Sequence, residues 1–162
     1  MGYVAADFMG MAETQLKKGN KRNACMFYSL AEKTTLNTWI LRQASSDNIA
    51  KALKNNRDGD FSLKEPVTWQ TDMGNSYTVF KIMPRVNRAA LELQVSYITT
   101  CKLTNTGNLS WEAYDLGRYI VKNFPEFEEV CSDIVLVASE RIPYPDEKIE
   151  AIETITYFEE VK

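Results

Sequence analysis

Apolar and polar residues alternate along residues 89–103. The apolar side chains fall on odd-numbered positions and the polar ones on even-numbered positions, as in Leu91-Glu92-Leu93-Gln94-Val95-Ser96-Tyr97. A period of two is typical of a β-strand with one buried and one solvated face, because a helix repeats its apolar positions every three or four residues. The pattern therefore predicts a strand, with Glu92 and Ser96 among the side chains expected in solvent.

The first part of the chain has helical periodicity instead. Apolar residues recur at intervals of three and four over residues 4–18, and Lys17-Lys18-Gly19-Asn20 is a typical helix C-terminus. A second apolar stripe predicts a helix over residues 22–42, and a serine-capped third helix follows over residues 45–53. The N-terminal part is therefore predicted to consist of helices.

Two segments rich in β-branched and aromatic residues come next, at 67–71 and 77–82. The sequence Asp72-Met73-Gly74-Asn75 between them is a turn signal, so the two segments are predicted to form a hairpin. Pro66 and Pro84 bracket the pair, where proline does little damage to a hydrogen-bonding ladder. We expect Tyr77 to Met83 to be an edge strand of the sheet.

A further helix is predicted after the alternating strand. Ser110 is expected to cap it, its inward stripe includes Trp111, and Pro125 ends it. The three tryptophans, Trp39, Trp69 and Trp111, are expected to be buried. For Trp69 the alternative to burial is a role at an interface, because this residue lies on the hairpin.

The last part of the chain predicts two more strands. Residues 126–130 are a connector or a short helix, and alternation over 134–142 and 152–158 is typical of strands. We therefore predict an α+β fold in a single domain that covers the whole chain. Its helical part is 1–56, and its sheet part, 61–162, is a mixed or antiparallel sheet packed against one helix in the order β-β-β-α-β-β.

Composition narrows the chemistry that this chain can perform. None of its 162 residues is histidine, which removes catalytic triads, most zinc sites and imidazole acid–base catalysis. Its three cysteines are widely separated, so we expect free thiols in a reducing compartment. No glycine-rich phosphate loop occurs, and the paired carboxylates are adjacent in sequence and therefore point apart. We predict no enzyme activity and no cofactor.

Residues 54–65 have the spacing of a calcium-binding EF-hand loop. The matching positions are Asn56, Asp58, Gly59, Asp60, Ser62 and Glu65. The first ligand position, however, holds the cation Lys54, and Pro66 follows where the exit helix should run. The alternative interpretation is a polar turn between the helical and sheet parts. Under this interpretation we predict no bound metal.

Charge is unevenly distributed along the chain. Residues 1–125 carry 16 basic and 11 acidic side chains, a net charge of +5, whereas residues 126–162 carry 3 basic and 11 acidic ones, a net charge of −8. Such a split favours head-to-tail assembly of identical copies; a solvated acidic end is the alternative. The basic cluster within 17–22 lacks interleaved aromatic residues, which favours a helix–helix corner over a nucleic-acid site. No run approaches the ~18 consecutive apolar residues of a membrane span.

From about Val67 to Val161 the order of elements resembles that of the tail terminator proteins of long-tailed bacteriophages. The resemblance is carried by the hairpin, the alternating strand 89–97, the helix 110–124 and the closing strands that end in Ile155-Thr156-Tyr157-Phe158. It implies a small mixed sheet packed against a helix. The first ~55 residues depart from the pattern, because compact members of that family begin with one helix where this chain predicts three.

The resemblance implies a structural virion protein without enzyme activity. The chain would form a homo-oligomeric, hexameric ring that caps the tail tube at the head-proximal end of the virion, after assembly in the host cytoplasm. Its partners would be its own copies, the tail tube protein and the head-completion or connector protein, with no nucleic-acid specificity and no membrane. The side chains predicted to make contacts lie on the hairpin and two polar loops: Trp69, Tyr77, Val79, Lys81, Asn105, Asn108, Asp146 and Glu147.

Two other classes of protein stay open at this stage. The stretch from Ala24 to Ala31 is similar to a helical-hairpin repeat, which favours an all-helical scaffold or protein-interaction module of solenoid type. A small carboxylate-dependent enzyme is the third class. It requires a deep pocket that contains two facing carboxylates.

Overall fold

The computed structural model describes residues 3–36, 42–56, 63, 65–87 and 90–161. Contacts within the chain separate two compact units, Met1–Phe61 and Ser62–Lys162, called here the helical unit and the sheet unit. Most of the EF-hand-like segment lies outside the described residues, as does Trp39.

The described part of the helical unit consists of α1 (Ala5–Lys17), α2 (Lys21–Leu36) and α3 (Arg42–Asn55). The prediction of N-terminal helices is confirmed, although Arg42 begins α3 rather than ending the second helix. At the start of α1 the backbone N–H of Val4 donates to the Asp7 carboxylate at 2.9 Å. The chain leaves α1 through Gly19, whose φ of +84° is the left-handed conformation that glycine adopts at little cost.

Small side chains allow α1 and α2 to approach closely. Ala12, Ala24 and Ala31 are completely buried, and the rings of Phe8 and Phe27 stack at 6.5 Å between centroids. Burying a phenylalanine side chain contributes roughly 1.5–3 kcal/mol, so both rings add to the stability of the unit.

In its described part the sheet unit has five strands and one long helix. They are β1 (Val67–Gln70), β2 (Ser76–Asn87), β3 (Ala90–Ile98), α4 (Thr106–Asn123), β4 (Asp133–Ser139) and β5 (Ile152–Tyr157). The strands lie in the order β1-β2-β3-β4-β5, and neighbours are antiparallel except for the parallel pair β3–β4, which α4 connects. The predicted α+β fold, with a mixed sheet packed against one helix, is confirmed. This sheet rules out an all-helical architecture.

The core of the sheet unit lies between α4 and one face of the sheet. The buried apolar residues of α4 recur every three or four positions and meet the odd-numbered side chains of β3 and the even-numbered ones of β4. They are Leu109, Ala113, Leu116 and Ile120 on the helix, Leu93, Val95 and Tyr97 on β3, and Ile134, Leu136 and Ala138 on β4. Two short 3₁₀ helices, Pro125–Glu129 and Phe158–Glu160, follow α4 and β5.

The helix α4 begins five residues earlier than the sequence predicted. Asn105, rather than Ser110, is its N-cap, and the Asn105 side chain accepts a hydrogen bond from the backbone N–H of Asn108 at 3.3 Å. The prediction that Trp111 is buried is also wrong, because 49% of its surface is exposed. At 100° per residue, position 111 points away from the stripe through 109, 113, 116 and 120.

The structure alters two predictions about the strands. The predicted edge strand, Tyr77 to Met83, is covered in part, because β1 pairs with residues 76–79 of β2 only. Among the described residues, the stretch 80–83 has β3 on one side and no strand on the other, as predicted. Glu92 and Ser96 are not in solvent but buried, Glu92 with only 3% of its surface exposed. The reason is that β3 is the central strand, so side chains from both neighbouring strands cover its second face.

At Gly117 the helix α4 lies close to the end of the chain. A Cβ atom at this position would lie 3.1 Å from Thr156 Cγ2 and 3.1 Å from Val161 Cγ1. Both neighbouring side chains are buried, so they have little room to retreat. The absence of a side chain here is therefore what lets the segment after β5 pack on the helix.

Candidate functional site

Three connections of the sheet unit lie at one end of the sheet. Because β3 and β4 are parallel, their carboxyl ends lie at the same edge, and β2 begins there because it runs antiparallel to β3. The turn 71–75, the segment 99–105 and the loop 140–151 therefore lie together; we call this the loop end. The N–H of Thr99 donates to the carbonyl of Ser139 at 2.9 Å and ties two of these connections together.

Asp115 holds the β1–β2 turn against α4. Its Oδ2 atom accepts hydrogen bonds from Thr71 Oγ1 at 2.8 Å, Asn75 Nδ2 at 2.7 Å and the Tyr77 hydroxyl at 3.2 Å. The Asp115 side chain is buried, and a buried carboxylate requires such donors. Burial, followed by the nearby Asp115 charge, raises the pKa of Tyr77 well above its ordinary value, so this phenol remains a donor.

Glu112, one helical turn before Asp115, holds the segment that follows β3. Its carboxylate accepts from Thr99 Oγ1 at 2.7 Å, from the backbone N–H of Thr100 at 3.0 Å and from the Thr100 hydroxyl. Burial, with the Glu112 charge and hydrogen bond, also raises the pKa of Tyr97. The two carboxylates thus share one helical face, and both are occupied in positioning loops rather than facing an open cavity.

A cavity of about 510 Å³ lies at the opposite end of the sheet. Its lining consists of Glu128, Cys131, Ser132, Tyr157, Phe158, Glu159 and Glu160. All three glutamates are exposed to solvent, whereas a carboxyl that acts as a general acid is normally held in a desolvated site. Burial raises the pKa of Cys131 to about 12, so its thiol is protonated at neutral pH and is a poor nucleophile.

The loop between β4 and β5 presents an aromatic side chain on a fixed turn. The N–H of Glu147 donates to the carbonyl of Tyr144 at 3.0 Å, and Asp146 has a φ of +64°, as in a type II turn with Pro145 at its second position. The guanidinium of Arg141 pairs with the Glu147 carboxylate and lies 5.9 Å from the centroid of the Tyr144 ring. Tyr144 itself is 76% exposed.

The Arg141–Glu147 pair makes the order of this loop depend on pH. The hydrogen bond from Arg141, with one from the Tyr144 N–H, lowers the pKa of Glu147 to about 2. Because the folded loop favours the carboxylate form of Glu147, this side chain stabilises the folded loop fully at a pH above its ordinary pKa of about 4.5. This stabilisation is lost as the pH falls from about 4.5 towards 2. An NMR titration of the Glu147 carboxyl carbon measures this midpoint.

Arg141→Gln is the control variant, and it should return the Glu147 midpoint towards its ordinary value. A midpoint near 4.5 in the unaltered chain would contradict the fixed ion pair.

The predicted contact residues do not form one surface. Trp69, Tyr77 and Val79 are buried inside the sheet unit, where the Trp69 ring stacks on Tyr119 at 5.0 Å between centroids, so they are unavailable on its surface. Lys81 is exposed on β2. The structure brings the remaining four to the loop end, all of them exposed: Asn105, Asn108, Asp146 and Glu147.

Sequence reasoning did not single out β5 as a free edge. Among the described residues β5 pairs with β4 alone, so the hydrogen-bonding groups along its outer side have no neighbouring strand. Two apolar side chains on this strand are exposed, Ile155 by 52% and Tyr157 by 51%. Exposed apolar side chains on an unprotected edge are typical of a strand that pairs with another chain. The signal in the sequence is the run of β-formers Ile152-Glu153-Thr154-Ile155-Thr156-Tyr157.

The sheet face opposite α4, called here the open face, has an ionic bridge across it. Arg85 on β2 donates from Nη1 to both carboxylate oxygens of Glu153 on β5, at 3.0 and 2.9 Å. Arg85 Nε also lies 3.3 Å from Glu92 Oε2, and Asn87 donates to Glu92 Oε1 at 2.8 Å. The ionic bridge ties β5 to β2 across the open face, while the outer edge of β5 stays accessible.

The fold and these features define an α+β protein with an open five-stranded sheet. No family model, curated protein or solved structure matches this chain. Among the residues that the structure describes, no group of three or more metal-ligating side chains occurs. Within the same residues, no helix is long and apolar enough to cross a membrane.

Proposed function

We propose that this protein is a structural assembly subunit that forms a homo-oligomeric, hexameric ring. In this proposal the ring caps the tail tube of a long-tailed phage and joins it to the head, as the resemblance to tail terminator proteins implies. The observation that carries the proposal is the accessible edge of β5 with its half-exposed Ile155 and Tyr157. An edge of this kind is a liability in a lone subunit, and pairing with a neighbour removes it.

Electrostatics support head-to-tail contacts between copies. Residues 62–125, which include β1, β2, β3 and α4, carry seven basic and five acidic side chains, a net charge of +2. Residues 126–162, which include β4 and β5, have a net charge of −8. We call these two segments the flanks of the subunit. Their opposite net charges favour contact between unlike flanks, which closes into a ring when the rotation per subunit is suitable.

The loop end supplies a second surface that suits the partners of a ring. Its exposed residues include hydrogen-bonding side chains at the start of α4 and the fixed aromatic of the β4–β5 loop: Asn105, Asn108, Tyr144 and Asp146. Tyrosine and asparagine are well suited to contacts, because they offer large area and adaptable hydrogen bonds. In the proposed ring this end contacts the tail tube protein or the connector protein.

Native mass spectrometry across a concentration series tests the ring. We expect a species of six times the 18.5 kDa subunit mass, and closed rings in negative-stain electron micrographs of the same sample. A chain that stays monomeric at every concentration, alone and in the presence of purified tail tubes, contradicts the proposal. A stable dimer with two-fold symmetry contradicts it as well, because a two-fold contact uses the same flank of both copies.

A further inference from the structure

We infer that β5 of one subunit pairs with β1 of the next, so that the sheet continues from subunit to subunit. The inference rests on the proposed function, because it names the contact through which the ring forms. The occupant of the β5 edge is therefore a second copy of this chain, and the segment that it contributes is Val67–Gln70. Four observations support the inference: the two free edges of the sheet, the directions of β1 and β5, the sheet faces on which their side chains lie, and the net charges of the two flanks.

In the part of the chain that the structure describes, one free edge of the sheet is β5, and the other is β1 together with residues 80–87 of β2, which β1 does not cover. Among the described residues neither β1 nor β5 pairs on its outer side. Because β1 and β2 are antiparallel, β2 and β3 antiparallel, β3 and β4 parallel, and β4 and β5 antiparallel, β1 and β5 run in opposite directions. When a second copy continues the sheet in the same orientation, its β1 meets β5 as an antiparallel neighbour, which allows well-aligned hydrogen bonds.

The faces of the two strands also match. Register across the sheet places Thr68 on the open face with Ile155, and Trp69 on the α4 face with Thr154 and Thr156. In the continued sheet, exposed Thr68 therefore lies on the same face as exposed Ile155, while the buried core faces of both copies stay on one side. Pairs of β-branched side chains on one face are favourable in antiparallel sheets.

Charge favours this pairing over a two-fold β5–β5 contact. Two copies joined through β5 would bring together two flanks of net charge −8, whereas β5 and β1 bring that flank to one of net charge +2. Like charges held close are destabilising, and opposite charges both accelerate association and set its orientation. The head-to-tail arrangement is also the one that can close into a ring.

Thiol cross-linking between two variants, each with one added surface cysteine, tests the pairing. Thr68→Cys and Ile155→Cys are made separately in a Cys101→Ser background, because Cys25 and Cys131 are buried and Cys101 is partly exposed. The two are mixed and treated with a thiol cross-linker of about 8 Å, which reaches both direct and diagonal neighbours in a sheet. We expect a covalent dimer in the mixture and none with either variant alone.

Each outcome of this experiment has a distinct meaning. A covalent dimer of Ile155→Cys alone indicates a two-fold β5–β5 contact and overturns the inference. Rings that form without any cross-link between positions 68 and 155 also overturn it, although the proposed function then stands. Failure of the unaltered chain to form rings under any condition overturns the proposed function itself.

Charged side chains on the edge provide an independent test. The double variant Ile155→Lys with Tyr157→Lys should raise the apparent dissociation constant of the ring by roughly tenfold or more, because lysine blocks pairing at exposed edges. Trp111→Lys is the control, since Trp111 is 49% exposed but lies on the helix α4 and not on a strand. Equal loss of assembly in both variants, with unchanged circular dichroism, contradicts the pairing.

Discussion

Replacement of Asp115 by alanine is expected to lower the free energy of unfolding of the sheet unit by about 3–5 kcal/mol. The reason is that one carboxylate oxygen accepts three hydrogen bonds, from Thr71, Asn75 and Tyr77. Alanine leaves these donors without their acceptor, although Thr71 and Tyr77 are buried and Asn75 is half-buried, and it opens a cavity beside them. Urea denaturation followed by far-ultraviolet circular dichroism and tryptophan fluorescence measures the change.

Two further variants separate the network from a general effect on α4. Asp115→Asn keeps one acceptor oxygen, so we expect a smaller loss, about 1–2 kcal/mol. Arg118→Ala, on the exposed side of the same helix, should change stability by no more than about 0.5 kcal/mol. If Asp115→Ala costs no more than Arg118→Ala, the carboxylate does not hold the turn to the helix.

Replacement of Gly117 by leucine is expected to lower the free energy of unfolding by about 3 kcal/mol and to loosen the end of the chain. Even the first carbon of the new side chain would lie 3.1 Å from both Thr156 and Val161, and the rest has no space to occupy. The segment after β5 must then move away from α4. Urea denaturation gives the energy, and faster amide hydrogen exchange of residues 156–161 reports the displacement.

Gly10 provides the matched control for Gly117. It lies within α1 and would have no atom within 4 Å of an added Cβ. Gly10→Ala should therefore stabilise the helical unit by about 0.5–1 kcal/mol, because alanine loses less backbone entropy in a helix. If Gly117→Ala raised the free energy of unfolding as much as Gly10→Ala does, close packing at Gly117 would be contradicted.

The regular elements were predictable because their signal is local. The apolar period of two at β3 and the period of three to four in α1 and α4 follow from side-chain directions, which each residue determines with its near neighbours. Errors arose where a neighbour in space decides the outcome. Glu92 is polar and was expected in solvent, yet it is buried because β3 acquires a strand on each side and Arg85 reaches its carboxylate.

The candidate site was less predictable than the fold. Asn105, Asn108, Asp146 and Glu147 were chosen as polar loop residues, and strand direction then placed all four at the loop end. The loop-holding roles of Glu112 and Asp115 have no signal in the sequence, because their hydrogen-bond partners are 12 to 44 positions away. No local pattern reports contacts at such separations.

The sequence by itself determined the α+β class, the order of the elements, the uneven charge and the absence of histidine chemistry. These depend on composition and on short-range periodicity. Only the tertiary structure decided which strands are edges, because an edge is defined by the lack of a neighbour and not by the strand's own residues. The alternating strand β3 therefore lies at the centre of the sheet, and the accessible contact surface lies on β5, whose outer side the fold leaves without a partner.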